Sequence, residues 1–487
     1  MDGETIVVFD IGKSNKKILV FSEEDLKPIY GESRRIDEVR VGNLLCDDAD
    51  LMVSWMKAKL TEAARRWRIR ALAITTFGAT IANLKGGILR LPIISYNHEI
   101  EGHIRDKFYS EFGSPIELYM STGTPPYGQL LNAGIQLFWI RERYPEIFRE
   151  IDEILFLPQY LIYALTGYRA SEITSIGCHT YLYDIRRGGW SSVAEGLNVP
   201  SRSPEISDVW SQLGEYKLNG SNILVTPGIH DSNACLLSYM ARGGDFLLAS
   251  TGTWCVFMYP GGEFKPRGED LHRDVLYYID AYRRPVRSSR FKGGFEYDYY
   301  TALIRSRFQA DLENIALDMG ILKDILERRE DFIMPGLVPG SGQFQKSRAR
   351  LIGGAFNRSA REAYHLLNIY LAIESYVAIK LITDGREVDI IVQGGFARNN
   401  IYLATLSALL PKNRILRATF PEATGLGAAL CAKSALEGVR PHELDRFLLN
   451  LGEEEIPKPP IDMDDLRAYL DAFIREASSA DEAALYR

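Results

Sequence analysis

Two short stretches dictate the plan of the chain. Residues 7 to 21 read "VVFDIGKSNKKILVF" and residues 243 to 261 read "GGDFLLASTGTWCVFMYPG". Each is an apolar strand, a turn of small polar residues and a second apolar strand, the pattern of a β-hairpin. Their glycines, Gly12 and Gly252, stand 252 − 12 = 240 residues apart in a chain of 487. A motif repeated at half the chain length predicts two similar domains, each opened by its own hairpin, and a chain of this length can bury a core for both.

The first turn, Gly12-Lys13-Ser14, ends like the phosphate-binding signature G-x-x-x-x-G-K-[ST]. The glycine required five residues earlier is Val7, and a strand rather than a helix follows, so that reading fails on both counts. A hairpin tip can hold phosphate in another way. Gly12 lets the backbone approach closely, and neighbouring N–H groups with Ser14 and Lys17 can form an anion nest, while Asp10 at the strand end could hold a metal ion through water. An Asp-x-Gly beside a strand is also an ordinary turn. Its pairing with the second hairpin selects the phosphate reading.

Composition narrows the partners. Hydrophobic residues make up 46% and charged residues 25%, as in an ordinary globular chain. The five cysteines are scattered without a Cys-x-x-Cys pair, which predicts neither a zinc ribbon nor a disulfide framework and fits a cytoplasmic location. The acidic start "MDGETIVVFD" has the wrong charge for a secretory signal, and no uninterrupted apolar run approaches about 18 residues, so no membrane partner is expected. A net charge of −7 speaks against a broad nucleic-acid surface.

Further segments carry chemistry in chain order. In residues 71 to 100 a strand runs into Phe77-Gly78, and a second crosses a Gly-Gly turn and ends near Tyr96 and His98. Residues 134 to 167 read as a helix, a loop and a second helix of structural character. Residues 223 to 241 read as a strand, the turn Pro227-Gly228, then His230-Asp231 and a helix from Ser232 or Asn233. An aspartate there is often only a cap. Glu374 sits on a long amphipathic helix and reads as structural. Residues 388 to 410 combine a strand, Gly394-Gly395 and a helix near Asn399 and Asn400. Residues 420 to 438 are rich in glycine and alanine, and a last helical pattern covers about 463 to 477.

In this order the motifs resemble the FGGY carbohydrate kinases of the actin, hexokinase and heat-shock ATPase superfamily. The resemblance implies an α/β fold of two ribonuclease H-like domains with a catalytic cleft between them. It implies a sugar-binding domain over 1–242, a nucleotide-binding domain over 243–438, and a linker and helix over 439–487 that dock back on the body. It implies ATP and Mg2+, a small-molecule sugar substrate and, as an assembly to test, a homodimer. By motif, Asp231 would be the general base and Asp10 the metal ligand. Gly12, Lys13, Ser14, Asn15, Lys17, Thr251, Gly252 and Thr253 would face the phosphates, and Gly394, Gly395, Phe396, Asn399 and Asn400 the adenosine. Phe77, Gly78, Thr80, Tyr96, His98, His230 and Asp231 would line the sugar, with Glu172 and Thr174 beside it.

The turn "STGTW" resembles the version in kinases of 6-deoxyketohexoses such as L-fuculose and L-rhamnulose. Thr80, His98 and Ile100 depart from the family's sugar-binding pattern, which leaves a pentulose such as xylulose or ribulose, or a polyol, as the alternative acceptor. An actin-like or chaperone-type ATPase switch and a non-catalytic sugar sensor are the rivals from other classes.

Overall fold

The computed structural model describes residues 3–128, 130–444 and 451–478. They form two compact units: Met1–Gly244 with Tyr277–Pro285 and Glu422–Leu451, and Asp245–Leu276 with Val286–Pro421 and Gly452–Arg487.

In unit 1 a mixed sheet runs Gly214–Leu218, Ser221–Val225, Arg68–Thr76, Glu4–Ile11, Asn15–Ser22, Pro28–Arg35. Ile6, Val7, Val8 and Phe9 are all fully buried, because strand Glu4–Ile11 lies between helix Ala49–Arg66 and helix Ala423–Glu437. A strand covered on both faces needs a continuous apolar run rather than alternation. Strands Glu4–Ile11 and Arg68–Thr76 are parallel, with Asp10 opposite Thr75, and the short strand Ile229–His230 continues the row with Ile229 opposite Thr75. Register thus brings Asp10 and the residue after His230 to one sheet edge, the C-terminal edge where open α/β sheets bind ligands.

Unit 2 repeats the arrangement. Its sheet runs Pro285–Phe291, Cys255–Tyr259, Phe246–Thr251, Asp389–Gly394, Ile415–Ala418, Glu453–Glu455. As in unit 1, the hairpin's first strand has an antiparallel partner on one side and a parallel strand on the other. Helix Ala360–Thr383 forms the spine of the core. By length and composition it could cross a membrane, yet 83% of its most apolar window is buried inside the structure.

The units differ from the expected division at 242/243 in two places. Helix Ala423–Glu437 packs against helix Asp231–Arg242 and the first sheet, and so belongs to unit 1. A Cβ at Gly427 would overlap the Ala234 carbonyl, so its glycine permits a backbone approach that no other residue allows. Residues 277–285 also join unit 1, where the Tyr277 N–H donates to the Gly123 carbonyl at 2.9 Å. Helix Met463–Ala477 packs into unit 2 through Leu466, Tyr469, Phe473 and Ile474, and the Tyr469 hydroxyl donates to the Asp331 carbonyl at 2.6 Å. The rest of the expected tail, at 445–450 and 479–487, lies outside the described residues. Within 134–167, the expected loop contains a strand, Glu153–Phe156, paired with Ile81–Lys85.

Candidate active site

Asp10, the penultimate residue of its strand, lies half-buried beside the first turn. Its carboxyl is pushed up from 3.8 to about 7, first by loss of water and then by the Asp231 carboxylate, with the Lys17 ammonium opposing and Glu422 adding to the rise. The Lys17 Nζ pairs with Glu422 Oε2 at 2.9 Å. Glu422, unnoticed in the sequence, precedes helix Ala423–Glu437 and reaches the site only because that helix packs on unit 1. Lys16 is equally unanticipated. Buried, it donates to the Lys13 carbonyl at 2.6 Å and the Ile36 carbonyl at 2.9 Å, clamping the turn, and burial pushes its ammonium down to about 8. Ser14 and Asn15 are exposed at the tip.

Helix Asp231–Arg242 begins at the aspartate itself, one or two residues earlier than expected, with His230 at the cap position. The Asp231 side chain is 32% exposed; its Oδ1 accepts the Ser232 N–H at 2.6 Å and lies 3.2 Å from His230 Nε2. Burial holds the His230 imidazole below its usual range despite Asp231, so it stands neutral there. The backbone behind it is pinned: the His230 N–H donates to Thr174 Oγ1 at 3.0 Å, and Thr174 donates to Glu172 Oε2 at 2.5 Å. Glu172 and Thr174, both buried, thus support the loop that presents Asp231.

The segments expected to line the sugar are brought together only in part. The Phe77 and Tyr96 rings meet edge to face at 5.8 Å, and a Cβ at Gly78 would stand 2.8 Å from His230 Nε2, so Gly78 makes room for that ring. Thr80 departs from the expectation: it is 1% exposed and its hydroxyl donates to the Gly78 carbonyl at 3.2 Å. His98 departs too, because its Nδ1 accepts the Leu45 N–H at 3.3 Å and its ring packs on Trp139 at 5.3 Å. Lys13, expected at phosphate, lies over the Tyr96 and Phe77 rings at 4.4 and 4.8 Å.

Unit 2 holds a pocket of about 680 Å³ lined by the second turn, Thr251, Gly252 and Thr253, together with Gly395, Phe396, Asn399 and Asn400. Its size is in the range of small-molecule sites. Thr251 ties the two turns together, donating to the Gln393 carbonyl at 2.5 Å and accepting the Phe396 N–H at 3.0 Å. Gly394 has φ +86°, and a Cβ there would overlap the Thr251 carbonyl. It shapes the turn without lining the pocket. Asn399 is committed at both ends, with Nδ2 donating to Asn368 Oδ1 at 2.6 Å and Oδ1 capping the Tyr402 N–H at 3.2 Å. The exposed Asn400 accepts from the Arg417 guanidinium. Tyr297, Tyr364 and the loop 312–317 complete the walls. No local pattern announced them, since they come from three distant segments.

Among the described residues, no cluster of three or more His, Cys, Asp or Glu side chains could hold a metal ion. A cation at Asp10 would therefore take most of its ligands from groups other than these side chains. The raised Asp10 carboxyl is the kind of group that such an ion would return to its charged form.

A family model for the N-terminal domain of the FGGY family of carbohydrate kinases matches residues 5–217, and one for the C-terminal domain of carbohydrate kinase FGGY matches 243–441. The chain is 25% identical over 258 residues to a rhamnulokinase from Halalkalibacterium halodurans, covering 50% of this chain and 54% of that one. It is 26% identical over 179 residues to a probable D-xylulose kinase A from Neosartorya fischeri, covering 33% and 30%. These matches span about half or less of the relatives' own length. The crystal structure of a carbohydrate kinase from Novosphingobium aromaticivorans superposes with a TM-score of 0.82 at 25% identity, covering 99% of this chain and 100% of that one.

Proposed function

The chain belongs to the FGGY family of carbohydrate kinases, and from that premise we propose that it transfers the γ-phosphoryl group of ATP to a hydroxyl of a sugar. The observation that carries the reading is the carboxylate pair on the edge of the first sheet. Asp231 is partly exposed at a helix start beside a neutral His230, and the charge of Asp10 is penalised by burial and by Asp231, a penalty that a bound cation would relieve. In this reading Asp231 is the general base that orients the acceptor hydroxyl and takes its proton as the oxygen attacks. Phosphoryl transfer has a loose transition state, so positioning and charge neutralisation do most of the work and a single base suffices. Asp10 would hold magnesium, which neutralises charge on the phosphate oxygens when bound. Thr251 to Thr253 and Gly395 with Phe396 would cradle the nucleotide in the unit 2 pocket, and Phe77 and Tyr96 would wall the sugar.

The acceptor in this reading is a ketose. The "STGTW" turn and the relative named rhamnulokinase favour a 6-deoxyketohexose; the relative named D-xylulose kinase supports a pentulose as the second candidate. A coupled ADP-release assay across 6-deoxyketohexoses, pentuloses, polyols and aldoses tests the proposal. Release that depends on one ketose, with stoichiometric sugar phosphate, is the expected outcome. Hydrolysis indifferent to every sugar would instead favour an ATPase switch, and sugar binding without a phosphorylated product would favour a sensor.

A further inference from the structure

The first turn carries a cation that its phosphate role does not use. Lys13 Nζ donates to Asp47 Oδ1 at 2.7 Å and to Ser95 Oγ at 2.9 Å, and pairs with Glu38 Oε1 at 2.9 Å. An ammonium has three protons to donate, and all three have partners here. Two carboxylates also cancel its charge, so it offers a triphosphate neither a free donor nor net attraction. The second oxygen of the buried Asp47 has no hydrogen-bond partner, and Glu38 also accepts from Asn97 Nδ2 at 3.1 Å.

The place of this cluster matters as much as its charge. Lys13 covers the faces of Phe77 and Tyr96, a cation–π arrangement that adds to its hold. The Phe77 N–H donates to the Ile11 carbonyl at 3.1 Å, and the next residue, Gly78, abuts the His230 ring. The cluster therefore packs on the Phe77-Gly78 segment that joins the hairpin to the His230-Asp231 corner. Burial, and to a lesser degree the Asp231, Asp47 and Glu38 carboxylates, raises the Tyr96 phenol above its usual range.

We propose that Lys13 is an acceptor-specificity residue and not a phosphate ligand. With Glu38, Asp47, Phe77 and Tyr96 it forms a polar wall, bearing no net positive charge, that accepts a neutral polyhydroxylated sugar and disfavours an acidic one. The inference rests on the kinase reading and refines its substrate class. Bringing a carboxylate-bearing sugar to Glu38, Asp47 and Asp231 costs like-charge repulsion that Lys13, already shared between two carboxylates, does not offset.

The test pairs neutral ketoses, D-xylulose and L-rhamnulose, with the acidic sugar D-gluconate, using ADP release for turnover and calorimetry for binding. In the wild type the ketoses bind and turn over in preference to gluconate. Lys13→Met raises the KM for the ketose about 10-fold while the KM for ATP stays within about 2-fold. Glu38→Gln, which frees Lys13 charge at a partly exposed position, shifts the ketose-to-gluconate ratio of kcat/KM about 10-fold toward gluconate. Because Lys13→Met strands the buried Asp47, Lys13→Met/Asp47→Asn is run beside it, with melting curves for each variant.

A raised KM for ATP with an unchanged KM for ketose would return Lys13 to the phosphates and overturn the proposal. An unmoved ratio in Glu38→Gln, or wild-type gluconate binding as tight as ketose binding, would also overturn it. Ketose binding weakened by Lys13→Met in a wild type that phosphorylates no sugar would sink the kinase reading alone. A wild type that binds no sugar would sink both.

Discussion

Replacing Asp10 by asparagine is expected to stabilise the ligand-free protein while abolishing turnover, and the stabilisation has a definite pH signature. The Asp10 carboxyl rises from 3.8 to about 7 because burial and the Asp231 carboxylate penalise its charge. Below pH 3.8 the folded and unfolded chains both carry the proton, and Asp10 contributes no difference. As pH rises toward 7 the unfolded chain releases the proton while the folded one retains it, so stability falls across this window and then levels off. At about 1.36 kcal/mol per factor of ten, the penalty grows to about 1.7 kcal/mol at pH 5 and about 4 kcal/mol at pH 8. The neutral asparagine amide has no proton to lose and escapes it. Calorimetric melting of the metal-free wild type and of Asp10→Asn at pH 4, 5 and 8 reads the effect directly. The expected gap in Tm is small at pH 4 and widens to about 5 °C at pH 8. Added Mg2+ with a nucleotide should narrow it by stabilising the wild type more than the variant. A gap independent of pH, or a variant less stable than the wild type at pH 8, would refute the reasoning.

Three other substitutions probe the remaining parts. Asp231→Asn should lower turnover by roughly 10²-fold or more while leaving nucleotide affinity largely intact, and near-normal turnover would remove Asp231 from its role. Gly394→Ala places a side chain at φ +86° against the Thr251 carbonyl, so binding of a fluorescent ATP analogue should weaken about 10-fold with sugar binding unchanged. Gly427→Ala drives a methyl group into the Ala234 carbonyl and should cost about 2 kcal/mol in urea unfolding; no loss would mean that the two helices can move apart freely.

The features legible in the chain itself are local in origin. The two hairpins, the His230-Asp231 turn ahead of a helix and the Gly394-Gly395 turn are each written within a few neighbouring residues, because strand pairing across a tight turn and helix initiation depend on short-range pattern. The repeat of the hairpin predicts two similar domains, and the order of motifs carries the resemblance to the family and, through it, the α/β fold. Packing in three dimensions set where the side chains of those motifs go. Lys13 turns to Asp47, 34 residues away, and Lys17 to Glu422, 405 residues away. His98 and Thr80 are spent on packing and local hydrogen bonds, and Asn399 is taken by Asn368 and its own helix cap. Helix Ala423–Glu437 joins unit 1, carrying Glu422 with it, because Gly427 lets it rest on the Ala234 backbone. A lysine on a flexible stem goes to whichever carboxylates and ring faces the fold brings within reach, and sequence spacing carries no record of which those will be.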